Sequence, residues 1–148
     1  MPTICVRAGQ PNSAASSFVS GIVREPVAGV PSQCPVPLDT RLWISSPASA
    51  VKNLAMAMSL TAEALGSDRV LDMPGITVTP RIMLDSLQRL VGDDARARVS
   101  LTSDQRVADI VCSWPGAFED GPARGLGFAS DSDFDAIVAQ YLAEITPA

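Results

Sequence analysis

The sequence predicts an α/β fold with few short strands and several helices. Three observations carry that prediction. Short runs rich in β-branched and apolar residues alternate with segments of helical period. Helix-start signals, a Ser or Thr followed by Pro, Gln or Asp, stand at the junctions between them. No segment repeats, so the alternation reads as layered α/β rather than a solenoid. A length of 148 residues with 47% apolar and 18% charged residues suits one domain with one hydrophobic core.

Taken in order, residues 2–8 read as extended, because Thr3, Ile4 and Val6 favour a strand. Gly9-Gln10-Pro11-Asn12 is a loop. Ser16 or Ser17 caps a helix that runs through Arg24, with Phe18, Val19, Ile22 and Val23 on one face. Residues 25–40 hold Pro26, Pro31, Pro35 and Pro37 and show little periodicity, so they read as a long loop. Arg41-Leu42-Trp43-Ile44 is a short strand. Ser46 then caps a helix with Pro47 at its first position, where a missing N–H costs nothing. Its expected inward face is Val51, Leu54, Ala55 and Met58.

Val70-Leu71-Asp72-Met73 reads as a strand broken by Pro74-Gly75. Thr79-Pro80 opens a helix with Met83, Leu87, Leu90 and Val91 inward, ended by Gly92. Residues 98–101 form a weaker strand. Thr102 with Gln105 fits a capping box, followed by Val107, Ile110, Val111 and Trp114 at helical spacing. Ser130 with Asp133 fits another. The last helix is the clearest, with Phe134, Ile137, Val138, Tyr141, Leu142 and Ile145 in one stripe, which makes Tyr141 core packing. Three or four short strands are a thin sheet for so much helix, so the sheet is expected to be incomplete.

Composition narrows the chemistry. The net charge of −5 argues against nucleic acid as a partner. No run of about 18 apolar residues exists to cross a membrane. The chain has no histidine, a single tyrosine and a single lysine, Lys52, which reads as exposed. Tyr141 and Lys52 lie in distant segments, so a Tyr-Lys base at helical spacing is excluded, as is a Ser-His-Asp triad. Cys5, Cys34 and Cys112 fit no metal spacing and read as reduced, buried thiols of a cytoplasmic protein, with no metal site expected. No G-x-G-x-x-G or P-loop is present. The glycines at 121, 125 and 127 read as a turn and a short helical piece. Asp131, Asp133 and Asp135 lack the glycine and distal glutamate of a calcium loop and read as helix-capping carboxylates. What remains suits an anionic or polyhydroxylated ligand: the 9–13 loop with Asn12 and Ser13, Arg7 and Arg41 beside strand ends, and Trp114 as a pocket wall.

Several segments in series carry a resemblance. Arg41-Leu42-Trp43-Ile44-Ser45-Ser46-Pro47-Ala48-Ser49-Ala50-Val51 resembles the R-x-x-I-h-v-x-d-x-a pattern of extended short-chain dehydrogenases/reductases, the NAD-dependent epimerase/dehydratase family. Residues 70–79 resemble that family's next strand and helix start. Residues 114–128 resemble its substrate-side loop and the a-x-x-LGF turn. Residues 2–18 are similar to a narrower branch, the dehydrogenases of four-carbon sugar acids.

The resemblance implies the C-terminal, substrate-binding part of a Rossmann-type fold over residues 1–148, with the glycine-rich cofactor half and its Tyr-x-x-x-Lys pair absent. Met1 then falls where the strand after the catalytic helix ends. It implies NAD in the parent family, with none expected to bind tightly to this chain alone. Pro2 and Thr3 would lie against the nicotinamide. Arg7, Asn12, Ser13 and Trp114 would face the substrate, and Arg41 would hold its anion. Ser45-Ser46 stands where the family has His-Val. The expected function is a substrate-binding piece of an oxidoreductase for a D-erythronate-like acid, inactive alone. Two alternatives stand beside it: a freestanding binding module that pairs as a homodimer, and a piece of a nucleotide-sugar epimerase.

Overall fold

The structure, a computed structural model, describes residues 1–67 and 69–146. Its strands are β1 (Thr3–Ile4), β2 (Ser32–Cys34), β3 (Leu42–Ser45), β4 (Ile76–Val78) and β5 (Val99–Leu101). Its helices are α1 (Ser17–Val27), α2 (Pro47–Ala57), α3 (Ala62–Leu65), α4 (Pro80–Val91), α5 (Asp93–Ala97), α6 (Gln105–Val111), α7 (Gly121–Gly125) and α8 (Phe134–Ile145). The strands form two partial sheets, β1-β3-β4 and β2-β5. β1 runs parallel to β3, with Thr3 beside Ile44 and Ile4 beside Ser45. β4 runs antiparallel to β3 with Thr77 opposite Trp43, and β2 runs parallel to β5. The expected α/β class with few, short strands is what the chain adopts.

Three helices build the core. Val19, Ile22 and Val23 of α1, Met83, Leu84 and Leu87 of α4, and Phe134, Ile137, Val138 and Tyr141 of α8 are all buried in one cluster with Ile44 of β3. The periodic stripe of α8 predicts this face, and Tyr141 is 5% exposed within it. Burial holds the Tyr141 phenol above its ordinary pKa.

The structure departs from the sequence reading at several places. Residues 70–73 form no strand, and the strand lies further on, at Ile76–Val78. Gly75 explains the shift. A Cβ there would meet the Ile44 carbonyl oxygen at 2.7 Å, so pairing with β3 starts only once the chain has passed this close approach. The 25–40 segment is not all loop. α1 continues to Val27 with Pro26 in its last turn, and Ser32–Cys34 becomes a strand because β5 lies beside it. Ser-Gln-Cys has little strand preference of its own, so this pairing is a tertiary effect.

Two caps also shift. Asp104 caps α6, accepting from the N–H groups of Arg106 and Val107, and Asp133 caps α8, accepting from Ala136 N–H. The aspartates displace the expected Thr102 and Ser130 because each sits one residue before its helix with a short side-chain oxygen in reach of the first free N–H groups. Cys5 and Cys34 are buried free thiols, whereas Cys112 is exposed.

The largest departure is α2. Ser46 caps it as expected, accepting from Ser49 N–H at 3.1 Å. Its apolar stripe nevertheless points outward: Val51, Leu54, Ala55 and Met58 are all exposed. Turned inward instead are Ser46, Ala50 and Asn53. No helix of the described residues is long and apolar enough to cross a membrane.

Candidate functional site

The candidate site sits where β3 emerges from the Pro37–Arg41 approach. Arg41 precedes β3, and Trp43 lies on β3 with Thr77 of β4 opposite. Two glycines let neighbouring backbone close onto this strand. A Cβ at Gly75 would lie 2.9 Å from Trp43 Cε2 and 3.0 Å from Pro2 Cγ. A Cβ at Gly116 would lie 2.5 Å from Arg41 Cβ, inside any tolerated contact. The Thr77 hydroxyl fixes that second approach by donating to the Gly116 carbonyl at 2.8 Å. Phe118, two residues on, meets Trp43 at 6.2 Å between ring centroids with the planes tilted by 47°, a favourable aromatic spacing.

The result is a cavity of about 150 Å³ lined by Met1, Thr3, Arg41, Leu42, Trp43, Trp114, Pro115 and Phe118. Among these side chains the one formal charge is the Arg41 guanidinium, and no carboxylate lines the wall. Arg24, Arg81, Arg89 and Arg124 are each engaged by a carboxylate, at Glu25, Asp39, Asp135 and Asp120. Arg41 has no such partner among the described residues. An unpaired guanidinium beside aromatic walls suits a small anion held through a bidentate contact, with the rings covering the rest. None of the lining side chains is a Cys, Tyr, Lys, Asp or Glu.

The structure therefore brings Thr3, Arg41 and Trp114 together from distant parts of the sequence. Pro2 is buried behind Gly75 and the start of β1. Arg7, Asn12 and Ser13 lie elsewhere. The Arg7 side chain is exposed, while its backbone N–H donates to Ser20 Oγ and its carbonyl accepts from Arg24. Asn12 spends its amide oxygen on a local turn, accepting from Ala14 N–H at 3.0 Å. Ser13 borders a separate groove with Asp104, Arg106 and Ile110. Trp43 and Phe118 escaped the sequence reading. Trp43 sits inside the R-x-x-I segment, and strand alternation places it on the opposite side from the buried Leu42 and Ile44. Phe118 carries no local signal.

At the other end of β3 a second polar cluster fixes the strand. The Asp131 carboxylate accepts from Ser46 Oγ at 2.6 Å, Ser46 N–H at 2.8 Å, Ser49 Oγ at 2.8 Å, and more distantly from Ser45 Oγ and Gln140. Burial alone would raise its pKa, but the hydrogen bonds from Ser46, Ser49 and Gln140 outweigh it and hold the carboxyl below its ordinary range. Asp131 is thus the anion at the N-terminus of α2.

These elements define the C-terminal part of a Rossmann-type epimerase/dehydrogenase fold. The chain is similar in sequence to two proteins named D-erythronate dehydrogenase. It is 45% identical to that of Cupriavidus necator and 40% identical to that of Haemophilus influenzae, in each case over 142 residues and 96% of this chain. The chain spans less than half of either relative, 44% and 45% of their lengths. The crystal structure of a nucleoside-diphosphate-sugar epimerase from Agrobacterium tumefaciens superposes with a TM-score of 0.93 at 36% identity, over 98% of this chain and 42% of that one. No protein-family model matches the chain.

Proposed function

We propose that this chain is the substrate-binding region of an NAD-dependent dehydrogenase for a four-carbon sugar acid of the D-erythronate type, and that it does not turn over alone. The observation that carries the reading is Arg41, an unpaired guanidinium at an aromatic-walled cavity. Arg41 holds the carboxylate and the Trp114 and Trp43 rings cover the carbon chain. Thr3 offers its hydroxyl to the polyol. The cavity, about 150 Å³, is smaller than the ~300 Å³ at which pockets for larger ligands begin, which favours a compact acid. The names of the two relatives matched over 142 residues support the same substrate class.

NAD supplies the hydride acceptor in this reading, and the residues of this chain do not build its cradle. A dinucleotide site needs a glycine-rich turn from strand to helix, with the helix N-terminus open to phosphate. The connection from β1 to α1 carries Gly9 as its sole glycine. At the β3–α2 turn the Asp131 carboxylate already occupies the helix N-terminus and repels an anion. The site for the dinucleotide's phosphates is therefore assigned to polypeptide outside these residues, with Thr3 on the cavity wall and Pro2 beside it left on the nicotinamide side.

The name of the Agrobacterium relative favours a second reading, a nucleotide-sugar epimerase. Thermal unfolding separates the two, because a ligand that binds the folded state raises the melting temperature. D-erythronate and related aldonic acids are expected to raise Tm while nucleotide sugars leave it unchanged. With NAD added, the pure chain is expected to form no NADH. A Tm rise confined to nucleotide sugars overturns the substrate assignment, and NADH formation by the pure chain overturns the division of labour.

A further inference from the structure

We infer that Thr77, which does not line the Arg41 cavity, is the positioning residue that sets how long an acid the cavity admits. This inference rests on the functional reading above and names a specificity determinant for it. The cavity has two unlike sides. Arg41, Leu42 and Trp43 at β3, with Thr3 of β1, form one. Trp114, Pro115 and Phe118 form the other, and all three stand in the connection between α6 and α7, which carries no helix or strand. The first side is framed by sheet pairing and by Gly75, where a Cβ would lie 2.9 Å from Trp43 Cε2. The second side has no such frame.

What holds the second side is narrow. Trp114 N–H donates to the Val111 carbonyl at 3.1 Å, which ties the start of the connection to α6. Arg124 N–H donates to the Asp120 carbonyl at 2.9 Å, which ties its end to α7. Between these ties, among the described residues, the hydrogen bond that reaches residues 115–119 is that of Thr77 Oγ1, donating to the Gly116 carbonyl at 2.8 Å.

Strand register explains the reach. Thr77 stands opposite Trp43 in an antiparallel pair, and opposite residues present their side chains on one face of the sheet. The hydroxyl therefore emerges beside the wall it serves. Gly116 completes the clasp, because a Cβ there would meet Arg41 Cβ at 2.5 Å and hold the connection off the arginine stem. With Gly116 seated, Phe118 reaches Trp43 at 6.2 Å between ring centroids, and the cavity closes to about 150 Å³. Without the hydroxyl, the aromatic side is left to that ring contact, while Arg41 and the strand wall stay in place. The anion contact then persists and the limit on length is relaxed.

Both tryptophans of the chain line the cavity, so their fluorescence reports on the clasp directly. Acrylamide quenching of the ligand-free chain is expected to rise in Thr77→Val, which keeps the β-branched shape, and to return to the wild-type value in Thr77→Ser, which keeps the hydroxyl. In calorimetric titrations the wild-type chain is expected to prefer D-erythronate to D-gluconate, which bears the same carboxylate on a longer polyol. Thr77→Val is expected to cut that preference by about three- to tenfold, the worth of one hydrogen bond, and Thr77→Ser to restore it. Unchanged quenching or an unchanged preference in Thr77→Val overturns the proposal. So does an equal loss of affinity for both acids, which marks a purely structural role, or a Thr77→Ser chain that behaves as Thr77→Val. The quenching comparison needs no ligand, so its failure overturns the clasp alone. A wild-type chain that binds neither acid overturns the functional reading, and the length limit with it.

Discussion

Asp131 illustrates how much one side chain organises here. It is 7% exposed and accepts the hydroxyls of Ser46 and Ser49 and the N–H of Ser46, so it joins the end of β3 and the start of α2 to the segment before α8. Asp131→Ala leaves those donors without an acceptor and is expected to cost about 1–3 kcal/mol in chemical denaturation. The pH dependence has a definite sign. The folded pKa lies below the unfolded value, so the contribution is whole above the ordinary carboxylate range and is lost as pH falls through the folded value. Asp131→Asn is accordingly expected to flatten the loss of stability on acidification below about pH 4, the range of an unfolded Asp. An unchanged acid limb would show that the carboxylate carries no linkage. The D-x-D-x-D spacing announces capping, and Asp133 does cap α8. It does not announce that Asp131 serves a helix 85 residues away, because that contact depends on tertiary approach.

At the scale of the element, α4 and α8 were legible because pattern and packing agree along most of each helix. Agreement fails only in the last turns, where Leu90 and Ile145 were expected inward and are 39% and 41% exposed. Met83, Leu87, Phe134, Ile137, Val138 and Tyr141 all fall on the buried face that their spacing predicts. α2 was misread because its pattern and its packing disagree. Periodicity reports which residues share a face, but not which face meets the core of the described chain. The polar stripe wins at α2 through specific partners: Ser46 and Ser49 donate to Asp131, and Asn53 pairs twice with the backbone of Ala129. Asn53 should therefore behave as a core residue. Asn53→Ala is expected to lower stability by about 1–3 kcal/mol, measured by urea unfolding with unchanged slope. A neutral result would show that these partners do not set the roll of α2. β2 failed for a different reason: Ser32–Cys34 has no strand signature and exists because β5 offers it a partner. For the candidate site, Arg41 stands out in the sequence because it precedes a short apolar strand rather than lying in a charged face, and Trp114 because it precedes Pro-Gly; the structure sets both on one cavity. Phe118 and the clamps at Gly75 and Gly116 were not, since close backbone approach leaves no trace in periodicity.

For the molecule as a whole, the two partial sheets, the outward stripe of α2 and the Arg41 cavity describe one arrangement. The core from α1, α4 and α8 is complete enough to hold the cavity walls, while the β1 edge and α2 face remain uncovered. Under the proposed function, binding and orientation belong to these residues and hydride chemistry to polypeptide outside them. The claim is most directly tested by calorimetric titration of D-erythronate into the wild-type chain and into Arg41→Gln. Saturable binding to the wild type is expected, weakened by about tenfold or more in Arg41→Gln, as befits loss of a charge-assisted contact of about 1.5–3 kcal/mol. Equal affinity in the two proteins would contradict the account.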